Sequence, residues 1–90
     1  MIKHLNIKIF GKVQGVSFRY NSKIKANQLG VLGFVKNQPD GTVYAEIEGE
    51  EDNLKEFLLW CQQGPSWAKV IDFQTEEGQF KNFTDFKIEY

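Results

Sequence analysis

Arg19 is the only arginine in a chain whose ten other basic residues are all lysines, and it closes the stretch Gly11-Lys-Val-Gln-Gly-Val-Ser-Phe-Arg19. A planar fork of N–H donors at this one place, where lysine serves everywhere else, points to recognition of a carboxylate or phosphate. Gly11 and Gly15 let the backbone turn through positive φ and come close to a ligand. The helix start expected beyond them offers N–H groups without intrahelical partners, a setting that suits a small anion. A second polar residue is Asn37, which ends Gly33-Phe34-Val35-Lys36-Asn37 just ahead of Gln38-Pro39-Asp40-Gly41. By itself Asn37 reads as turn chemistry, because Asn and Asp side chains satisfy local backbone groups at such points. Gln14 alone reads as a loop residue.

The other reactive side chains read as structural. His4, the single histidine, falls in a predicted first strand and is expected to be an ordinary exposed residue. Cys61 lies on the apolar face of a predicted helix, as a buried inert thiol would. Ser17 has a hydroxyl but no histidine near it in sequence to activate it, so it reads as a small residue that allows tight curvature. There is no Cys/His cluster at metal spacing, no His-Glu-x-x-His and no Gly-Lys-Ser/Thr of a nucleotide-binding loop, so neither metal nor cofactor is expected.

The lone cysteine leaves no internal disulfide and fits a reducing cytoplasm. The first residues are too often interrupted by polar side chains for a signal-peptide core, and no apolar run approaches membrane-spanning length. Residues 1–41 carry a net charge of +6 and residues 42–90 a net −7. The glycine-rich stretch thus lies in the basic half, where the field favours a small anion. A total of −1 without any Lys/Arg cluster argues against nucleic acid.

The elements that must position Arg19 and Asn37 can be read from periodicity. Leu5, Ile7 and Ile9 alternate with His4, Asn6 and Lys8, which predicts a strand over 3–10 covered on one side. Ser22, Ala26 and Leu29 recur at helical spacing over 19–29, with Gly30 as the stop. Residues 31–37 read as a second strand, 38–41 as a turn, and Val43, Ala45 and Ile47 as the inward face of a third strand with Tyr44, Glu46 and Glu48 outward. Leu54, Phe57, Leu58 and Cys61 mark a second helix, preceded by Glu50, Glu51 and Asp52 and stopped at Gly64-Pro65. Residues 69–75, around Val70, Ile71 and Phe73, predict a fourth strand, and Phe83, Phe86, Ile88 and Tyr90 a fifth or a return edge. The order βαββαβ is the split βαβ or ferredoxin-like arrangement, an α+β class with two helices on one face of a four- to five-stranded antiparallel sheet. One domain over 1–90 is expected.

Taken together, Ile9-x-Gly11-x-Val13-Gln14-Gly15-Val16-x-Phe18-Arg19 and Gly33-Phe34-Val35-Lys36-Asn37-x-x-x-Gly41-x-Val43, followed by Gly49, resemble both signatures of the acylphosphatase family. The similarity runs from the first strand to the Val70 strand. It implies the same ferredoxin-like fold and hydrolysis of the carboxyl-phosphate bond of acylphosphates. It also implies that Arg19 binds the phosphoryl group with backbone amides of Gln14, Gly15, Val16, Ser17 and Phe18, while Asn37 holds the attacking water. Position 34 is Phe where bacterial members often have Trp, an aromatic exchange.

Physical chemistry supports such roles. A phosphate needs several preorganised donors, each charge-assisted bond contributing about 1.5–3 kcal/mol. Water approaching an anionic phosphorus is better held by a neutral amide than by a carboxylate, which would add repulsion. The expected partners are a small acylphosphate and the inorganic phosphate product, with no nucleic acid or membrane, and the expected state is a monomer. A different class of protein would use the same residues: a module that binds phosphate or carbamoyl phosphate without turning it over.

Overall fold

A computed structural model describes residues 1–90, with the element order β1 (Ile2–Lys12), α1 (Phe18–Leu29), β2 (Leu32–Asn37), β3 (Val43–Glu50), α2 (Glu51–Gln63), β4 (Lys69–Glu77) and β5 (Phe86–Glu89). The five strands form one sheet in the order β4-β1-β3-β2-β5. Period-two alternation builds one face of it: Ile7 and Ile9 of β1 and Val43, Ala45 and Ile47 of β3 are fully buried. Against that face pack Phe18 and Ala26 of α1 and Leu54, Phe57 and Cys61 of α2. Gly30, in the left-handed conformation at φ 70°, ends α1, and its N–H donates to the Ala26 carbonyl. Neither helix is long and apolar enough to cross a membrane.

The sheet is mixed, and this corrects the antiparallel expectation. β1 pairs antiparallel with β3 and β4, and β2 with β3, but β5 runs parallel to β2, with Lys36 opposite Glu89. Strand order supplies the reason. β4 and β5 are the two outer strands, so the chain between them must cross under the whole sheet and enter beside the start of β2. The ends of β1, β2 and β5 therefore point the same way.

The crossing connection, residues 78–85, also overturns the reading of the second face as open to water. His4 is 2% exposed, and Glu46 and Glu48 are buried with it. Glu48 accepts hydrogen bonds from the N–H groups of Lys81 (2.6 Å) and Phe83 (3.0 Å) and lies 2.7 Å from His4 Nδ1. Glu46 sits 2.8 Å from Lys81 Nζ and 3.1 Å from His4 Nε2, and accepts the Tyr44 hydroxyl at 2.8 Å. Phe83 stacks on the His4 ring and meets the Phe34 ring edge-on. The fourth strand expected around Val70, Ile71 and Phe73 is present as β4, with Ile71 exposed on this outer strand.

Candidate active site

The chain leaves β1 through a break in regularity. The β1–β4 register shifts between Phe10 and Gly11, and Gly11 has φ 129° with the Lys69 carbonyl so close that a Cβ there would lie 2.0 Å from it. Only glycine fits this bulge, which turns the chain out of the sheet. Residues 13–17 then join β1 to α1. Val13 and Val16 bury their side chains in the core, while Gly15 (φ 71°) and Ser17 (φ 62°) both take left-handed backbone. Left-handed residues in such a connector curl successive N–H groups into the concavities that hold anions. For Ser17 this conformation costs of order 1 kcal/mol, the kind of local strain found at binding sites.

Ser17 is also the N-terminal cap residue of α1, without a hydrogen bond from its own side chain. Its carbonyl accepts from both the backbone and the side-chain nitrogen of Asn21, at 3.0 and 2.9 Å. The first turn of α1 contains no acid, whereas that of α2 holds Glu51 and Asp52. The positive end of the α1 dipole is thus left uncompensated where the connector meets it.

A cavity of about 170 Å³ opens here, lined by Gly15, Ser17, Arg19 and Asn37 among its polar groups and by Phe18 and Ile88 among its apolar ones. Arg19 and Asn37, eighteen positions apart, share this one cavity because β1 and β2 point the same way. Asn37 Oδ1 is buried and has no hydrogen-bond partner. Arg19 donates from Nη1 to the Glu89 carbonyl at 3.0 Å, and its guanidinium lies 4.8 Å from the centre of the Tyr90 ring. Of the connector residues singled out from the sequence, Gly15, Ser17 and Phe18 line the cavity. The side chains of Gln14 and Val16 turn elsewhere, Val16 into the core.

Gln14 has a task that its sequence context does not reveal. Its Nε2 donates to the carbonyls of Gln38 (2.8 Å) and Thr42 (2.9 Å), which ties the connector to the β2–β3 turn directly beyond Asn37. Within that turn Thr42 donates to Asp40 from its hydroxyl and its N–H, and Lys8 pairs with Asp40 at 3.1 Å. These contacts, the Thr42 hydroxyl foremost, hold the Asp40 carboxyl at a pKa of about 2. Ile88 of the last strand and Tyr90 just beyond it were likewise not foreseen at the site, since an antiparallel β5 would have carried them to the opposite end of the sheet.

The remaining reactive groups lie away from the cavity. Cys61 is buried between helix and sheet, and burial pushes its thiol pKa up, away from thiolate chemistry. Trp60 is half-buried and packs on Phe18 and Phe57, while Trp67 is exposed.

Known proteins match this chain along nearly all of its length. The acylphosphatase family model covers residues 5–88. An acylphosphatase of Thermotoga maritima is 42% identical over 89 residues, 99% of each chain. The crystal structure of acylphosphatase from Bacillus subtilis superposes with a TM-score of 0.94 at 34% identity, over 100% of both chains. A segment amounting to 12% of full-length HypF, solved in a phosphate- and nucleotide-bound form, is also similar, at 32% identity over 100% of this chain and a TM-score of 0.89. With a match of this extent in both sequence and fold, the chain belongs to the acylphosphatase family.

Proposed function

We propose that this acylphosphatase cleaves its substrate by direct attack of water, with Arg19 and the curled connector holding the phosphoryl group and Asn37 holding the water. The observation that carries this reading is that Asn37 lines the cavity that Arg19 also lines, with its Oδ1 buried and without a partner. A buried acceptor without a donor costs stability. A water molecule satisfies it and is thereby aimed at a phosphorus held opposite. The amides of Gln14 to Phe18 and the free first turn of α1 share the phosphate charge with the guanidinium.

The water oxygen forms the new bond to phosphorus as the bond to the carboxyl oxygen breaks, and the electron pair leaves on the carboxylate. The water's protons pass to the phosphate product and to solvent. A carboxylate has a conjugate-acid pKa of about 4, so it departs unprotonated and no general acid is required. An alkyl phosphate ester, with its far more basic leaving group, would need an acid, a metal or a covalent nucleophile. The substrate is therefore a small acylphosphate, and the enzyme acts as a monomer in the cytoplasm, without metal.

Hydrolysis of benzoyl phosphate or acetyl phosphate tests this directly. Turnover is expected to persist in excess chelator and to be absent with a simple alkyl phosphate. A requirement for added Mg²⁺ would refute the metal-free mechanism, and phosphate binding without turnover would leave a binding module instead.

A further inference from the structure

We propose that the end of β5 is a positioning element for the anion site: the Glu89 carbonyl and the Tyr90 ring hold the Arg19 guanidinium in its working orientation. This rests on the reading of Arg19 as phosphate anchor. An arginine at a helix start has several freely rotating bonds, and an unrestrained fork would lose much of its advantage as a preorganised donor. Two contacts from the same short segment restrain it. The hydrogen bond from Nη1 to the Glu89 carbonyl (3.0 Å) uses one of the fork's N–H donors, and the guanidinium carbon lies over the Tyr90 ring, 4.8 Å from its centre. The carbonyl fixes the direction of one N–H and the ring attracts the cation from a second side, while the remaining N–H groups stay available to an oxyanion.

Topology makes this contact possible. Lys36 stands opposite Glu89 in the parallel β2–β5 pairing, so the residues that follow them, Asn37 at the last position of β2 and Tyr90 just beyond β5, come at the same end of the sheet. Both line the cavity, together with Ile88 of β5. Tyr90 is 99% exposed and belongs to no core cluster, so its ring has no packing duty in the fold.

The test compares Tyr90→Ala, Tyr90→Phe, Tyr90→Leu and Arg19→Ala, each assayed with acetyl phosphate and benzoyl phosphate and for inhibition by inorganic phosphate. Tyr90→Ala should weaken phosphate inhibition and lower kcat/KM for both substrates by roughly two- to fivefold, the size of an exposed cation–π contact, at an unchanged thermal midpoint. Tyr90→Phe, which keeps the ring, should behave as the parent, and Tyr90→Leu as the alanine variant. In the Arg19→Ala background, adding Tyr90→Ala should leave the residual kcat/KM where it was. A Tyr90→Ala enzyme that loses affinity for benzoyl phosphate alone would make the ring a platform for the acyl group and overturn the positioning role. So would wild-type behaviour of Tyr90→Ala. If Arg19→Ala itself still binds phosphate like the parent, the anchor reading fails and this proposal with it; if Arg19→Ala loses phosphate and Tyr90→Ala does not, only this proposal fails.

Discussion

The two ends of the sheet treat polar groups in opposite ways. Where β1 starts and β3 ends, His4, Glu46 and Glu48 are buried, and their polar atoms face Lys81, Tyr44, Asn6 or backbone N–H groups. Where β1, β2 and β5 end, Asn37 Oδ1 has no partner, Ser17 caps a helix without using its side chain, and the first turn of α1 lacks an acid. The first cluster is a fastening: its one oxygen without a hydrogen bond, Glu46 Oε1, lies 2.8 Å from the Lys81 ammonium, whereas nothing in the protein faces Asn37 Oδ1 in this way. Polar residues alone therefore do not mark a site. What separates the two is whether the protein itself completes their hydrogen bonds.

The sharpest break of this contrast is Arg19→Ala, which should lower kcat/KM on the order of 10³-fold and abolish inhibition by phosphate. Asn37→Ala comes next: under the proposed division of labour, in which the amide serves the water and not the anion, kcat should fall on the order of 10²-fold with phosphate inhibition nearly intact. Equal loss of phosphate binding in both variants would erase the division of labour between them. At the other end of the sheet, Glu48→Ala should cost about 3 kcal/mol in denaturant titrations, because it strands His4 and two backbone N–H groups. Its kcat/KM under folding conditions should stay at the parental value.

Acid should tell the two ends apart less abruptly. Burial works against ionisation of Glu46 and Glu48, yet bonds from Lys81 and Tyr44 to the first, and from Lys81, His4 and Phe83 to the second, outweigh it and keep both carboxyls below their usual range. A depressed carboxylate stabilises the fold above its ordinary pKa of about 4 and ceases to do so as pH falls through the lowered value. Stability should accordingly decline only below about pH 4, and Glu48→Ala should flatten that decline. A parent protein whose stability is level between pH 5 and pH 2 would remove the fastening role.

Local patterns carried much of the architecture. Ile7, Ile9, Val43, Ala45 and Ile47 advertise their face by alternation, and Leu54, Phe57 and Cys61 theirs by helical spacing, since each depends only on neighbours in the chain. Arg19 and Asn37 were paired only through the resemblance of the two glycine-bearing motifs to the acylphosphatase signatures, since Asn37 alone reads as turn chemistry, and both line one cavity. His4, Glu46 and Glu48 were misread because the same alternation that places them on the second face cannot say that residues 78–85 will cover it. The direction of β5 was hidden for the same reason: it follows from which strands become the outer ones, a choice made between distant segments. A cross-strand cue did exist. His4 pairs with Glu48 and Asn6 with Glu46, a complementary set that would be wasted on a solvated face.

The long passage beneath the sheet also has a kinetic side. Both outer strands come from the second half of the chain, β4 pairing with β1, where Glu77 stands beside Leu5, and β5 with β2. Pairings so distant in sequence close slowly, on a scale of roughly milliseconds to seconds for topologies of this kind. Helices and the central hairpin can therefore form while Tyr90 is still adrift, so recovery of full phosphate affinity should be among the last signals to return when the chain refolds.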